Sequence, residues 1–222
     1  MEEQIGSLRL QNLLIMKRLF AAAVLVGLLA FAFGDCLGQQ DPKAGASREW
    51  SIGDRSAPVV IEVFNDYQCR PCAGFNVELK RIQVKYAGRV RIVFRNFPIT
   101  TTHENAMLAA QVAEAAGLQG KFFEMIDLLY LKQLTWAESK QAKKLFLSYA
   151  RALKLNLTKF RTDLIGEEVR QRIRLDLERA RSLNVPGTPT IVINGELIPH
   201  ERLENLDAEI ETKLNALKRA SP

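Results

Sequence analysis

Two cysteines spaced by two residues, Cys69-Arg70-Pro71-Cys72, are the side chains of this sequence best suited to chemistry. A Cys-x-x-Cys pair serves either as half of a zinc site or as a dithiol that exchanges with disulfides. Zinc needs a second pair of ligands at close spacing, and the chain offers only His103 and His200, isolated and far apart. No metal site is therefore expected. A bridge across two residues closes almost no loop and would add little to stability. Thiol–disulfide exchange is the preferred use, against a structural disulfide or two inert buried thiols.

The elements around the pair favour reactivity. Val59-Val60-Ile61-Glu62-Val63-Phe64 is rich in β-branched residues and reads as a buried strand. It runs through Asn65-Asp66-Tyr67-Gln68 into the cysteines. A helical pattern follows from Ala73 to Tyr86, with Phe75, Leu79, Ile82 and Tyr86 at three- and four-residue spacing. A Cys69 at the helix N-cap would face unpaired N–H groups and the positive end of the helix dipole, which favour thiolate over thiol. Cys72 would lie one turn in, less exposed, with its N–H aimed at the Cys69 sulfur. Arg70 adds positive charge, and Pro71 sits in the first turn, where a missing N–H costs little. In the oxidised form a substrate thiolate would attack Cys69, Cys72 would leave, and a second thiol would release the reduced pair.

Farther on, Val90 to Phe97 reads as a second strand. Helices are expected over Glu104–Ala116, Lys121–Leu131, Ala137–Leu153, Thr158–Ile165 and Glu167–Ser182, with Thr135 and Asn156 as caps. Strands return at Thr190–Ile193 and Glu196–Ile198, joined by the Asn194-Gly195 turn signal, and Leu203–Arg219 closes the chain. A β-α-β half and a β-β-α half thus flank a helical insertion at about 103–182. Asp66 reads as a turn residue, His103 as capping or packing, and Phe122, Phe123 and Tyr130 as core. Trp136 is placed beside a loop.

Composition narrows the class. Hydrophobic residues make up 47% of 222, enough for a sizeable core and against global disorder. The net charge of +6 is spread along helices and mixed with acids, with no basic-plus-aromatic module, so nucleic-acid binding is not expected. Lys17-Arg18 precede an apolar run from Leu19 to Phe33, followed by small and polar residues, in the order of a secretory signal. That run falls short of the about 20 residues of a spanning helix. Residues 1–38 are expected to be a signal peptide or N-terminal anchor, with Met16-Lys17-Arg18 the better start, and 39–48 a polar linker. Phe33-Gly34-Asp35-Cys36 is loosely similar to a lipidation motif, but Asp35 is wrong for it. The body of the chain is expected to be periplasmic or otherwise extracytoplasmic.

The segment Phe64-Asn65-Asp66-Tyr67-Gln68-Cys69-Arg70-Pro71-Cys72, with Val185-Pro186-Gly187-Thr188-Pro189-Thr190 far downstream, resembles the DsbA-like thiol:disulfide oxidoreductases of the thioredoxin superfamily. The resemblance covers about residues 50 to 219. It implies an α/β fold, a thioredoxin-like mixed central sheet carrying an inserted helical domain, over residues 49–219. It also implies a cis peptide before Pro189, leaving the Thr188 backbone beside Cys69 for a substrate strand to pair with. Arg70, Pro71, Thr188 and Pro189 would shape the site around catalytic Cys69 and Cys72. No cofactor beyond the disulfide is expected. Reduced or unfolded exported proteins would be substrates, and a membrane quinone-linked partner would reoxidise a monomeric enzyme. A reductase or isomerase of the same fold is the first alternative, though the segment before residue 50 is too short for a dimerisation domain. A non-enzymatic binding or copper-handling module is the second. One position departs from the family: a buried acid often stands six residues before the first cysteine, and here Val63 does. Glu62, one residue earlier, should face the other side of the strand as a surface or salt-bridge residue.

Overall fold

The sheet is built from five short runs, β1 (Trp50–Ile52), β2 (Val59–Asn65), β3 (Val90–Asn96), β4 (Thr190–Ile193) and β5 (Glu196–Ile198). A computed structural model describes residues 49–220. The signal or anchor expected at 1–38, the Met16 start, Cys36 and the linker expected at 39–48 lie outside the described residues. Strand order is β1-β3-β2-β4-β5. β2 and β3 pair in parallel, and β1–β3, β2–β4 and β4–β5 are antiparallel, so the sheet is mixed. The parallel pair is joined through α1 (Arg70–Lys85), as a parallel connection requires. β2 lies in the middle and is buried along nearly its whole length, which explains its unbroken apolar run.

Strand alternation divides the sheet into two faces. Val59, Ile61 and Val63 of β2, with Ile92 and Phe94 of β3, enter the main core. Phe64 and Val192 face the other way and pack with Ala180 in a smaller cluster. Between β3 and β4 come α2 (Ala106–Gly117), α3 (Phe122–Leu131), α4 (Gln133–Trp136), α5 (Ala142–Ala152), α6 (Leu157–Leu164) and α7 (Glu167–Ser182). After β5, a 3-10 segment (His200–Asn205) leads into α8 (Leu206–Ala220). The first half of α7 contributes Val169 and Ile173 to the main core. Its second half crosses to the other face with Ala180.

Three features differ from the sequence reading. β1 was not foreseen, being three residues long with weak alternation. Tertiary contacts hold it: the Trp50 ring stacks on Phe122 at 4.7 Å, and its indole N–H donates to Glu114 at 2.7 Å. Gly117 makes room, since a Cβ there would lie 2.3 Å from the Trp50 ring. Second, the helix expected over Ala137–Leu153 begins only with α5 at Ala142, and a short helix that was not expected, α4, precedes it at Gln133–Trp136. Asn105 Nδ2 donates to the carbonyls of Trp136, Ala137 and Ser139, capturing the acceptors a continuous helix would use. Trp136, the last residue of α4 before the connecting loop, is fully buried, and its N–H donates to the Leu129 carbonyl at 2.7 Å. Third, other helix ends shift by at most three residues, and α1 begins at Arg70 rather than Ala73. Asn156 caps α6 by accepting from Lys159 N–H, whereas Thr135 lies inside α4.

Glu62 does face away from the main core, but it is buried. Arg179 and Arg95 both hold its carboxylate. Arg95 also reaches Glu49 and Asp176, and Arg91 reaches Glu49, giving the second face a continuous charged network. Burial alone would raise the Glu62 carboxyl, but the two guanidiniums hold it below its ordinary value. At the seam with the insertion, Asn96 Nδ2 donates to both Glu114 and Asp176, and Asn96 N–H donates to Asp176.

Candidate active site

Cys69 is the N-cap of α1, with extended backbone (φ −68°, ψ 119°), and Pro71 falls in the first helical turn. Both cysteines are free thiols. Their surroundings differ: Cys72 is fully buried, whereas Cys69 retains 7% exposure. Arg70 and Pro71 are exposed beside them. Thr188 and Pro189 arrive from the loop before β4, and the peptide between them is cis. Cys69 Sγ lies 3.4 Å from the Thr188 carbonyl oxygen, so the two distant segments meet at this sulfur.

Electrostatics separate the two thiols. The Cys69 pKa is lowered to about 6, chiefly by a hydrogen bond from the Cys72 thiol. The Thr188 hydroxyl and the Cys72 backbone N–H add to the lowering, while partial burial and the Asp66 carboxylate oppose it. Cys72 is pushed far up because it donates to Cys69 and is desolvated. The helix-terminus effect read from the sequence is thus present through the Cys72 N–H, but the neighbouring thiol is the larger cause. At neutral pH the reduced pair holds one proton, and Cys72 carries it.

Side chains that the sequence did not single out position this pair. Gln133, at the start of α4, is buried and its Nε2 donates to the carbonyls of Tyr67 (2.8 Å) and Cys69 (3.0 Å). Gln68 Nε2 donates to the Ala137 carbonyl, and Gln68 Oε1 accepts from Asn105 N–H. The insertion therefore clasps the loop that presents Cys69. Asp66, read as a turn residue, does accept from Gln68 N–H at 2.7 Å in a turn geometry. Its second oxygen also accepts from Ile99 N–H at 2.9 Å and meets His103 Nδ1 at 2.7 Å. Asp66 is 1% exposed. No sequence signal distinguishes this carboxylate from an ordinary loop acid, because Ile99 and His103 lie over thirty residues away. A cavity of about 300 Å³ opens beside Cys69, lined among others by Arg70, Pro71, His103, Gln133 and Leu134. Val63 is fully buried in the main core.

Among the described residues, no group of three or more His, Cys, Asp or Glu is arranged to hold a metal ion. No helix among them is long and apolar enough to cross a membrane.

Comparison with known proteins agrees with this geometry. The Thioredoxin family profile matches residues 46–212. Over 156 residues the chain is 30% identical to a probable disulfide bond formation protein D of Bacillus anthracis, covering 68% of this chain and 72% of that one. It is 38% identical over 148 residues, 67% of its length, to the Na(+)/H(+) antiporter NhaA 3 of Salinispora tropica, of which it spans 22%. Thus the chain corresponds to under a quarter of that antiporter's length. Among solved structures, oxidised BdbD of Bacillus subtilis superposes with a TM-score of 0.67 at 23% identity, covering 78% of this chain and 95% of that one. At that identity the likeness speaks for the fold.

Proposed function

The chain belongs to the thioredoxin family as a DsbA-like member, and from that premise we propose that it is an exported oxidase that donates its Cys69–Cys72 disulfide to reduced proteins. The observation that carries this reading is the asymmetry of the thiols, Cys69 lowered to about 6 and Cys72 driven up. A stabilised Cys69 thiolate favours the reduced pair, and a pair that prefers to be reduced is an oxidant.

The reaction follows from the arrangement. A substrate thiolate attacks the less buried Cys69 sulfur of the disulfide. The Cys69–Cys72 bond breaks, the substrate–Cys69 bond forms, and the electron pair stays on Cys72, which takes a proton. A second substrate thiolate then attacks the substrate sulfur, and Cys69 leaves as a thiolate that its surroundings stabilise. The carbonyl of Thr188, already 3.4 Å from Cys69 Sγ, is an acceptor against which an extended substrate segment would align. Export is supported by the Lys17-Arg18 and Leu19–Phe33 pattern. A membrane quinone-linked partner would restore the disulfide, with the chain acting as a monomer outside the cytoplasm.

The decisive measurement is a redox titration of the protein against glutathione. An oxidase should lie near or above the about −180 mV of disulfide isomerases. A value as reducing as thioredoxin's, about −270 mV, would sink the oxidase assignment in favour of a reductase. Cys69→Ser should abolish turnover. Retained partner binding with no turnover in the unaltered protein would instead support a non-enzymatic module.

A further inference from the structure

His103 sits at the entrance to the insertion, between the β3 segment and α2. Its backbone is fixed on both sides, with its N–H donating to the Ile99 carbonyl (3.0 Å) and its carbonyl accepting from Ala106 N–H (3.2 Å). Its ring is fixed as well, because Nδ1 lies 2.7 Å from Asp66 Oδ2. The Asp66 side chain is wholly buried, while that of His103 is 26% exposed. Two backbone N–H groups, of Gln68 and Ile99, hold the carboxylate in place. A carboxylate beside Nδ1 selects the tautomer with the proton on Nδ1, which leaves Nε2 with a free lone pair. His103 and Cys69 line the same cavity.

The exchange step needs what such a ring supplies. In the oxidised protein neither cysteine carries a thiolate, so the nucleophile must be the substrate's thiol. An ordinary thiol, with a pKa of about 8.5, is only about 3% ionised at pH 7. The cavity wall holds two groups able to take its proton, His103 and Glu138. Glu138 is exposed and already within 3.4 Å of Gln68 Nε2, and a carboxylate is a weak base for a thiol. An imidazole is far better matched near neutral pH. We propose that His103, oriented by Asp66, is a catalytic base that accepts the proton of the substrate thiol as it attacks Cys69.

The inference rests on the oxidase reading and adds a proton acceptor to it. The substrate S–H bond breaks and an N–H bond forms on Nε2. The substrate sulfur bonds to Cys69 as the Cys69–Cys72 bond breaks, and the electron pair passes to Cys72. One proton leaves the substrate thiol and one is taken up by Cys72, so none is gained or lost overall. The charged and titratable groups around the ring are Asp66 behind it, Cys69 and Arg70 across the cavity, and Glu138 on the far wall. Glu104, next in the chain, is paired with Lys140.

The test uses the oxidised full-length chain in detergent, mixed rapidly with a reduced peptide carrying one cysteine. The mixed disulfide is trapped in acid and counted by mass spectrometry. In the unaltered protein the rate at pH 7 should exceed what ionisation of the peptide thiol alone allows. His103→Gln should be slower by about tenfold at pH 7, with the gap closing near pH 9, where the peptide ionises unaided. Its glutathione potential and Cys69 thiolate titration should stay as they were, and free imidazole should restore part of the rate. A rate in the unaltered protein that simply tracks peptide ionisation overturns the assignment, whatever the variant does. So does a variant slowed by one factor at every pH, or not slowed at all. If the unaltered protein forms no mixed disulfide, the oxidase reading falls, and this inference with it.

Discussion

The two thiols of Cys69-Arg70-Pro71-Cys72 are near neighbours in sequence and far apart in chemistry. Cys69 is lowered to about 6 mainly by the Cys72 thiol. Cys72→Ala should therefore raise the Cys69 midpoint by about one unit or more, read from ultraviolet thiolate absorbance of the reduced protein. A midpoint left unmoved would transfer the credit to Thr188 and the backbone. The sign of the linkage also follows. A depressed thiol pKa adds stability to the reduced protein that is complete above the unfolded value, about 8.5, and is lost as pH falls through about 6. Denaturant midpoints of the reduced protein, relative to the oxidised, should accordingly rise from pH 6 to pH 9. The cysteine pair and Thr188-Pro189 were legible in the sequence because two local motifs announce them. Asp66, Gln68 and Gln133 were not, since loop acids and helix glutamines are common and only three-dimensional partners make these three distinctive. Burying Gln133 is worthwhile only because the Tyr67 and Cys69 carbonyls await it.

Element types were mostly readable because hydrophobic period separates strands from helices well. β4, β5 and α7 fall where the pattern puts them, and the Asn194-Gly195 turn has positive φ at both residues, as a tight hairpin requires. The misses share one cause, long-range contact overriding local preference. The α4–α5 break is imposed by Asn105 from thirty residues upstream, and β1 by Trp50 finding Phe122, Glu114 and the bare backbone of Gly117. That last contact supports a direct test. Gly117→Ala would place a methyl 2.3 Å from the indole, and the ring must shift. A loss of about 1–3 kcal/mol in stability is expected by denaturant melts, with quenching or shift of tryptophan fluorescence. Unchanged stability would mean that β1 is dispensable to the fold.

At the scale of the whole molecule, the sheet and the insertion are joined by polar groups as well as by apolar packing. Asp176 of α7 is the most telling of these. Burial, reinforced by Glu114, raises its carboxyl to about 6 against the pull of Asn96 and Arg95. A raised carboxyl means that the folded state holds a proton the unfolded chain has released. Stability from this group therefore increases as pH falls from above 6 toward about 4. Relative to Asp176→Asn, the unaltered protein should gain about 1 kcal/mol between pH 7 and pH 5, measured by thermal or denaturant unfolding. A pH-independent difference would show that Arg95 keeps the carboxylate ionised throughout. The hairpin that carries β4 into β5 has a different bearing on the life of the molecule. Asn-Gly steps are prone to spontaneous deamidation, because the glycine nitrogen can attack the asparagine side chain to close a succinimide. Here that side chain is engaged at both ends, Oδ1 accepting from Val60 N–H and Nδ2 donating to the Pro58 carbonyl. Chemical ageing at Asn194 is thereby coupled to opening of the sheet at the start of β2, so a sample's slow acquisition of negative charge becomes a clock for how often that corner of the fold comes undone.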